Sequence, residues 1–567
     1  MKKIFLAIIC LTLWTSHAMA ATTTEEQLEK LTREFLAHYN GELPPGTSVS
    51  ADSTEININT MEFLADPVAK RYFEQMGKVL MAEKAADTQM KVEVNDLKLE
   101  EVPATTQAAM KMKKGTKRKA VAIPQLTFCL SVPYTYMSID GENNPIRLSS
   151  IMYRPSPFQF NLNAGLGVGN LLWGLDLAII ELIKGAWNAA FGYTFDYGVL
   201  GCHPTVTTSV EAPTGKSPLD GDIKMFCSDY ALVVCPDYCG YGLSEYRQHP
   251  YLVQGVTARN VVDAYIAALD LVNDKNISGA SGSWSFASDY YTDLMGYSQG
   301  GSVALSTLRY LESGQVSDAD LKRINLRNVY CGDGPYSPRA TVKQYIDWSN
   351  MDDEKYNKMA YPCVLPLIVQ AAKQAYDNDC MHTVKLDSYF TPEFLATGIV
   401  DMLDTKRVST SQLNDVTTLA GTVKVAQIMS GNFIKQEEVL DTILNQKRLM
   451  NVFNTESNEY KCLMRAMEYN DLTKGWTPHH PLLFMHLDGD LVVPYCNMEE
   501  VKKNLPRDPS KKMVFTTPYE VKDKMTLIWE LIADKVKDVF DNPDHSKIGV
   551  FFYIAAASGA FEDMLKE

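Results

Sequence analysis

Ser298 lies in the pentapeptide Gly296-Tyr297-Ser298-Gln299-Gly300, behind an apolar stretch, Tyr290 to Met295, and ahead of a helix-like run, Gly301 to Leu311. A serine gains reactivity when its hydroxyl is thrust out on a strained strand-to-helix turn with backbone N–H groups beside it, and this context supplies such a turn. Glycine at 296 and 300 is then a steric demand, because a Cβ at either place would strike the neighbouring strand or helix as the turn tightens. The chemistry this points to is acyl transfer. A serine hydroxyl is a weak nucleophile near neutral pH, so it needs a base to take its proton and an acid to orient that base.

The remaining sequence offers few partners. After residue 490 the chain has a single histidine, His545, followed by an apolar run from Ile548 to Leu565 that reads as the last helix. Pro481-Leu482-Leu483-Phe484-Met485 reads as a buried strand, and His486-Leu487-Asp488-Gly489-Asp490 leaves its end before Val492-Val493-Pro494 turns the chain. Asp490 is the expected acid. Asp488, two residues away, and Asp333, at the end of the apparent strand Leu326 to Cys331, are the alternatives. His545 would take the Ser298 proton and later protonate the leaving alcohol, while Asp490 holds the imidazole in the right tautomer.

The developing oxyanion needs two donors. One is the backbone N–H of Gln299, the residue after the nucleophile. The other is expected in the loop after the strand-like Tyr197 to Cys202, which runs into His203-Pro204-Thr205. Proline has no N–H to give, which leaves Thr205 as the second donor. His203 reads as a histidine bracing its own loop, with a place beside the site as the alternative.

Several blocks stand in a familiar order. Cys235-Pro236-Asp237-Tyr238-Cys239-Gly240-Tyr241-Gly242-Leu243-Ser244 is similar to a D-x-x-G-x-G-x-S turn, His249-Pro250-Tyr251-Leu252 to the H-P-Y-L segment of secretory lipases, and Pro481 to Asn497 to a strand ending in D-x-x-V-P-Y. With the serine pentapeptide, these blocks make the chain resemble the secreted lipase/esterase branch of the α/β-hydrolase superfamily. The resemblance covers about residues 130–335 and 476–567, while residues 21–125 match no familiar pattern. It implies an α/β-hydrolase fold, a mostly parallel sheet flanked by helices, with the Ser, acid and His of the site following one another along the chain. It also implies hydrolysis of carboxylic esters without a cofactor. The chain departs from the family at His203-Pro204, where many hydrolases carry His-Gly.

Composition fits a globular enzyme: of 567 residues, 46% are hydrophobic and 22% charged, enough to bury a large core. Lys2-Lys3, the apolar Ile4 to Trp14 and Ala18-Met19-Ala20 read as a signal peptide over 1–20, so the chain is expected to be exported, periplasmic or secreted. Its removal takes two lysines and no acid, moving the formal charge from −15 to −17. Such a surface suits neither nucleic acid nor an anionic bilayer, and leaves at most peripheral contact with a lipid interface. The expected partner is an ester substrate, lipid esters included; oligomeric state is not legible. The cysteines outside the leader form no compact disulfide framework, and several sit in strand-like runs where free cysteine is a common core residue. His479-His480 has no partners at metal-ligand spacing and reads as a loop.

These features divide the chain into an N-terminal helical extension (21–125), a first core part (126–339), a helical cap or lid insertion (340–475) and a second core part (476–567). The extension shows helix-like stretches at Glu25 to Tyr39 and Asn59 to Lys84 and a basic run, Lys111 to Lys119, that reads as a solvated loop. Tyr134 to Asp140 and Ile146 to Tyr153 read as antiparallel strands around the turn Gly141-Glu142-Asn143-Asn144, and Val256 to Val272 as a crossover helix. Leu166 to Ala190 reads as an amphipathic helix, since Asp176, Glu181 and Lys184 interrupt it before it reaches a bilayer span. In the insertion, Val364 to Val369 and Phe394 to Met402 would either line an acyl groove or bury the insertion on itself. A peptidase of the same fold and an inactive binding protein on this scaffold are the rival readings.

Overall fold

The computed structural model describes residues 128–155, 194–215, 231–273, 285–357, 359–376, 380–383, 385–395, 397–415, 451–525 and 539–567, with short strands at 47–49, 56–58, 98–101, 125–126 and 160–161. The leader, the helical stretches expected at 25–39, 59–84 and 166–190 and the basic run 111–119 lie outside the described residues, apart from no more than those short strands between them.

A hairpin opens the sheet. β1 (Phe128–Ile139) and β2 (Pro145–Pro155) pair antiparallel about a turn in which Asp140 Oδ1 accepts the N–H groups of Glu142 and Asn144. In β1, Val132, Tyr134 and Tyr136 are buried while Thr135 and Met137 face water, the period-two pattern of a half-buried strand. β3 (Thr194–Cys202), β4 (Ala231–Pro236), β5 (Ser285–Tyr297), β6 (Leu326–Gly332), β7 (Leu482–Met485) and β8 (Met513–Thr516) complete an order β1-β2-β4-β3-β5-β6-β7-β8. β2 runs antiparallel to both of its neighbours, and every pairing from β4 through β8 is parallel. Lys98–Glu101 adds a ninth strand antiparallel to β1 at the outer edge, so part of the 21–125 region joins the sheet.

The parallel strands carry apolar stretches such as 198–202, Ala231–Pro236 and Leu482–Met485 because both faces are covered. Leu200, Cys202, Leu232 and Val234 face a core shared with α1 (Gln254–Asn273) and α2 (Gln299–Leu311). Val199, Ala231, Val233 and Cys235 face a second core filled by the C-terminal helices. The run from Ile548 to Leu565 is two helices rather than the one expected: His545–Ala557 and Ala560–Lys566 meet at a 64° bend, where Gly559 takes φ 83, a conformation glycine adopts without a Cβ penalty. Among the described residues no single helix is long and apolar enough to cross a membrane.

The insertion shares an apolar cluster with Ile139 at the end of β1 and with Tyr251, Leu252, Val253 and Val256 around the start of α1. α3 (Pro338–Ser349) leads into it, and α4 (Val364–Ala375) packs Leu365, Ile368 and Val369 with Phe394, Ile399, Leu403 and, from α5 (Asn458–Tyr469), Leu463 and Met467. Both apolar stretches pack into this shared cluster, and a disulfide between Cys380 and Cys462 fastens the insertion. Cys202, Cys235, Cys239, Cys331 and Cys363 are buried.

Candidate active site

Ser298 stands between β5 and α2 at φ 58 and ψ −127, far from the conformation its neighbours in strand and helix adopt. The turn is locked by backbone on both sides: Ser298 N–H donates to Gly332 O at 2.9 Å, and Gly301 N–H to Ser298 O at 2.9 Å. A Cβ on Gly296 would lie 2.1 Å from Gly300 O, and one on Gly300 would lie 2.1 Å from Cys202 O. Neither neighbour can yield, since each is main chain, so the glycines of the pentapeptide are what let β3, β5 and α2 converge here.

Three side chains from distant positions meet at this point. His545, the first residue of the helix α6 (His545–Ala557), places Nε2 2.7 Å from Ser298 Oγ and Nδ1 2.5 Å from Asp490 Oδ2. Asp544 caps that helix by accepting Lys547 N–H, which sets the direction in which the imidazole leaves the backbone. Asp490 Oδ1 accepts the N–H groups of Val492 (2.7 Å) and Val493 (3.0 Å), so the turn after β7 fixes the carboxylate with its other oxygen toward His545. Asp488 is exposed and outside this line. Burial opposes charge on His545, but the charge and hydrogen bond of Asp490 outweigh it and the imidazole titrates above its ordinary value. A carboxylate accepts only, so Nδ1 carries the ring hydrogen and Nε2 is left to receive the serine proton.

Asp333, the other acid considered, lies beneath the site. Its Oδ1 accepts Leu487 N–H at 2.8 Å and its Oδ2 contacts the hydroxyl of Tyr297, which also lies 2.7 Å from His545 O. Burial pushes the Asp333 carboxyl up, against the pull of His486 and with repulsion from Asp490 adding to it. Tyr297 has one phenolic hydrogen for two oxygens; a protonated Asp333 would donate to Tyr297 and free that hydrogen for the His545 carbonyl. Among the described residues, Asp333, His486 and Asp490 form the one group spaced as a metal-ligand set would be, with donor atoms within 4.8 Å of one another. Both carboxylates are already engaged by the contacts above, and His486 Nε2 lies 2.9 Å from Val493 O, while its buried Nδ1 lies 3.8 Å from Asp333 Oδ1. His479 and His480 pair with Asp508 and Glu312.

On the opposite side, Gln299 opens α2, so its N–H belongs to the first turn, where amides have no intrahelical acceptor. Thr205 follows β3, and its hydroxyl lies 3.0 Å from that of Tyr251. His203 is buried, with Nδ1 2.7 Å from Pro204 O and Nε2 3.1 Å from Asp237 O, and stacks on Tyr238 at 4.0 Å. Burial lowers its pKa to about 4, so the neutral ring donates to one carbonyl at a time and braces the loop. The D-x-x-G-x-G-x-S turn closes on Asp237, which accepts from Ser149 (2.6 Å) and from the N–H and hydroxyl of Thr214. A Cβ at Gly242 would lie 2.1 Å from Asp237 Oδ2, so that glycine makes room for the anchor. The insertion reaches these loops: Lys406 Nζ donates to the carbonyls of Gly240, Glu245 and Arg247, and Thr410 N–H donates to Glu211 at 2.9 Å.

Neither a family model nor a curated protein sequence matches the chain. Among solved structures it is similar to the rice cell wall degrading esterase LipA from Xanthomonas oryzae, at 17% identity and a TM-score of 0.49 over 83% of this chain and 98% of that one. It is also similar to Candida antarctica lipase A, at 14% identity and a TM-score of 0.38 over 75% of each chain. The strand order, with β2 antiparallel between β1 and the parallel run from β4 to β8, and the positive-φ serine between β5 and α2, give this chain the α/β-hydrolase fold.

Proposed function

We propose that the protein is an exported serine hydrolase that cleaves carboxylic esters, and the observation that carries this reading is the unbroken line Asp490–His545–Ser298, with contacts of 2.5 and 2.7 Å. His545 Nε2 takes the Ser298 proton as Oγ attacks the ester carbonyl carbon. The tetrahedral oxyanion is met by the N–H of Gln299 and by Thr205. Collapse expels the alcohol, which leaves with the proton held by His545, and an acyl-serine remains. Water, deprotonated by His545, then attacks the acyl carbon and releases the acid, returning the proton to Ser298 Oγ. Asp490 stabilises the imidazolium formed in each half of the cycle.

The 340–475 insertion acts as a lid in this reading, supported by the contacts of Lys406 and Thr410 with the loops on the oxyanion side. Its rate on aggregated esters is expected to exceed that on dispersed ones; equal rates would remove the lid. The central test incubates the mature protein with nitrophenyl esters of graded chain length beside Ser298→Ala. Hydrolysis that drops by at least about a thousandfold in the variant, with unchanged circular dichroism, is expected. No hydrolysis at any chain length, or equal rates in the two proteins, would sink the ester reading.

A further inference from the structure

The H-P-Y segment between β4 and α1 has no part in the proton relay, yet it touches both residues read as oxyanion donors. His249 and Tyr251 are buried. His249 Nδ1 lies 2.8 Å from Cys239 O, and because a carbonyl only accepts, the ring hydrogen sits on Nδ1. Burial lowers the pKa of His249 to about 3, so the ring is neutral and Nε2 is a bare acceptor. Gln299 Nε2 donates to it at 2.7 Å. That contact fixes the Gln299 amide: Oε1 must point the other way, where it is buried without a hydrogen-bond partner, an arrangement that costs free energy and so is not explained by stability. Two residues on, Tyr251 holds the Thr205 hydroxyl at 3.0 Å.

The surroundings are shaped to bring this segment in. Gly240 takes φ 98, and a Cβ there would lie 2.5 Å from His249 Cα. The rings of Tyr241 and Tyr251 stand 4.7 and 5.9 Å from that of His249, holding it laterally. One short segment thereby adds side-chain contacts to both the start of α2 and the loop after β3, which already meet where Gly300 packs against Cys202 and His203.

We propose that His249 and Tyr251 are positioning residues for the oxyanion pocket, His249 acting through the side chain of Gln299 and Tyr251 through the hydroxyl of Thr205. The proposal rests on the ester-hydrolase reading and refines it. Its consequence is specific: displacing a donor by a fraction of an ångström weakens binding of the tetrahedral state while leaving ground-state binding alone.

The test uses the mature full-length protein with a short nitrophenyl ester and with a trifluoromethyl ketone, whose carbonyl carbon takes Ser298 Oγ to give a hemiketal oxyanion. His249→Phe removes both ring nitrogens and Tyr251→Phe removes one hydroxyl. Each is expected to lower kcat about ten- to hundredfold, with KM within about twofold and ketone affinity falling in step with kcat. His249→Gln, whose amide oxygen can again accept from Gln299, is expected to recover part of the loss. An unchanged kcat in Tyr251→Phe, or a kcat loss with unaltered ketone affinity, overturns the proposal; should His249→Phe fail to fold, Tyr251→Phe still decides. Failure of the underlying reading looks different, since it would show as a wild-type protein without Ser298-dependent hydrolysis.

Discussion

At the end of β5 the fold is held by what cannot be there, and in the insertion by what fills space. A methyl group on Gly296 or Gly300 meets main-chain oxygen at 2.1 Å, so residue identity is dictated atom by atom. Around α4 and α5, Leu365, Ile368, Phe394, Ile399 and Leu463 need only be apolar and of suitable volume, a demand that many side chains satisfy. The first kind of constraint leaves a short, readable motif. The second leaves only a hydrophobic average, which is why the same stretches could be read in advance either as an acyl groove or as self-burial.

The comparison can be broken at the relay first. Asp490→Asn is expected to lower kcat by about ten-thousandfold, whereas Asp488→Asn, changing an exposed side chain, should have almost no effect. Comparable losses in both would mean that the acid has been misplaced. The pH profile sharpens this. His545 must be neutral to take the serine proton, and its pKa is raised, so kcat/KM should fall as pH drops through a value above the ordinary imidazole pKa of about 6.5. Without the Asp490 charge, the residual activity should carry that limb to lower pH; an unmoved limb would show that another group titrates.

A smaller effect belongs to the insertion. Replacing Cys380 and Cys462 together by serine removes a bridge across 82 residues and should lower stability by about 2–4 kcal/mol, seen as a reduced melting temperature, with little change in turnover of short esters. A turnover loss as large as that of Asp490→Asn would show that the two regions are not separable. The smallest effect is expected from Asp333→Asn. An amide can donate to Tyr297 as a protonated carboxyl would, so kcat should stay within about threefold, whereas Asp333→Ala should fall further. A loss of thousands in the asparagine variant would instead make Asp333 the acid of the relay.

What was legible beforehand follows the same division. The core strands and α2 announced themselves because strands covered on both faces carry dense apolar stretches and the serine turn demands small residues at fixed places. Ser298, His545 and Asp490 could be named from motif and order, but Asp490 parted from Asp488 only through burial and the N–H groups of Val492 and Val493, neither of which has a sequence signature. The contacts of His249 with Gln299 and of Tyr297 with Asp333 were missed. Their residues sat inside blocks already noted, yet each contact spans tens of residues and is made by the fold. β8 and the Lys98–Glu101 edge strand, four residues each, are too short to show a period. The Cys380–Cys462 bridge went unread because spacing alone carries no connectivity.

Residue 298 also sets reactivity against durability. Its φ of 58 is held in every folded molecule whether or not an ester is present, at a cost of about 1–3 kcal/mol to any residue that carries a Cβ. Ser298→Gly would escape that cost, so the inert protein should outlast the working one on heating. A strained backbone position is thus the one on which the proposed turnover rests.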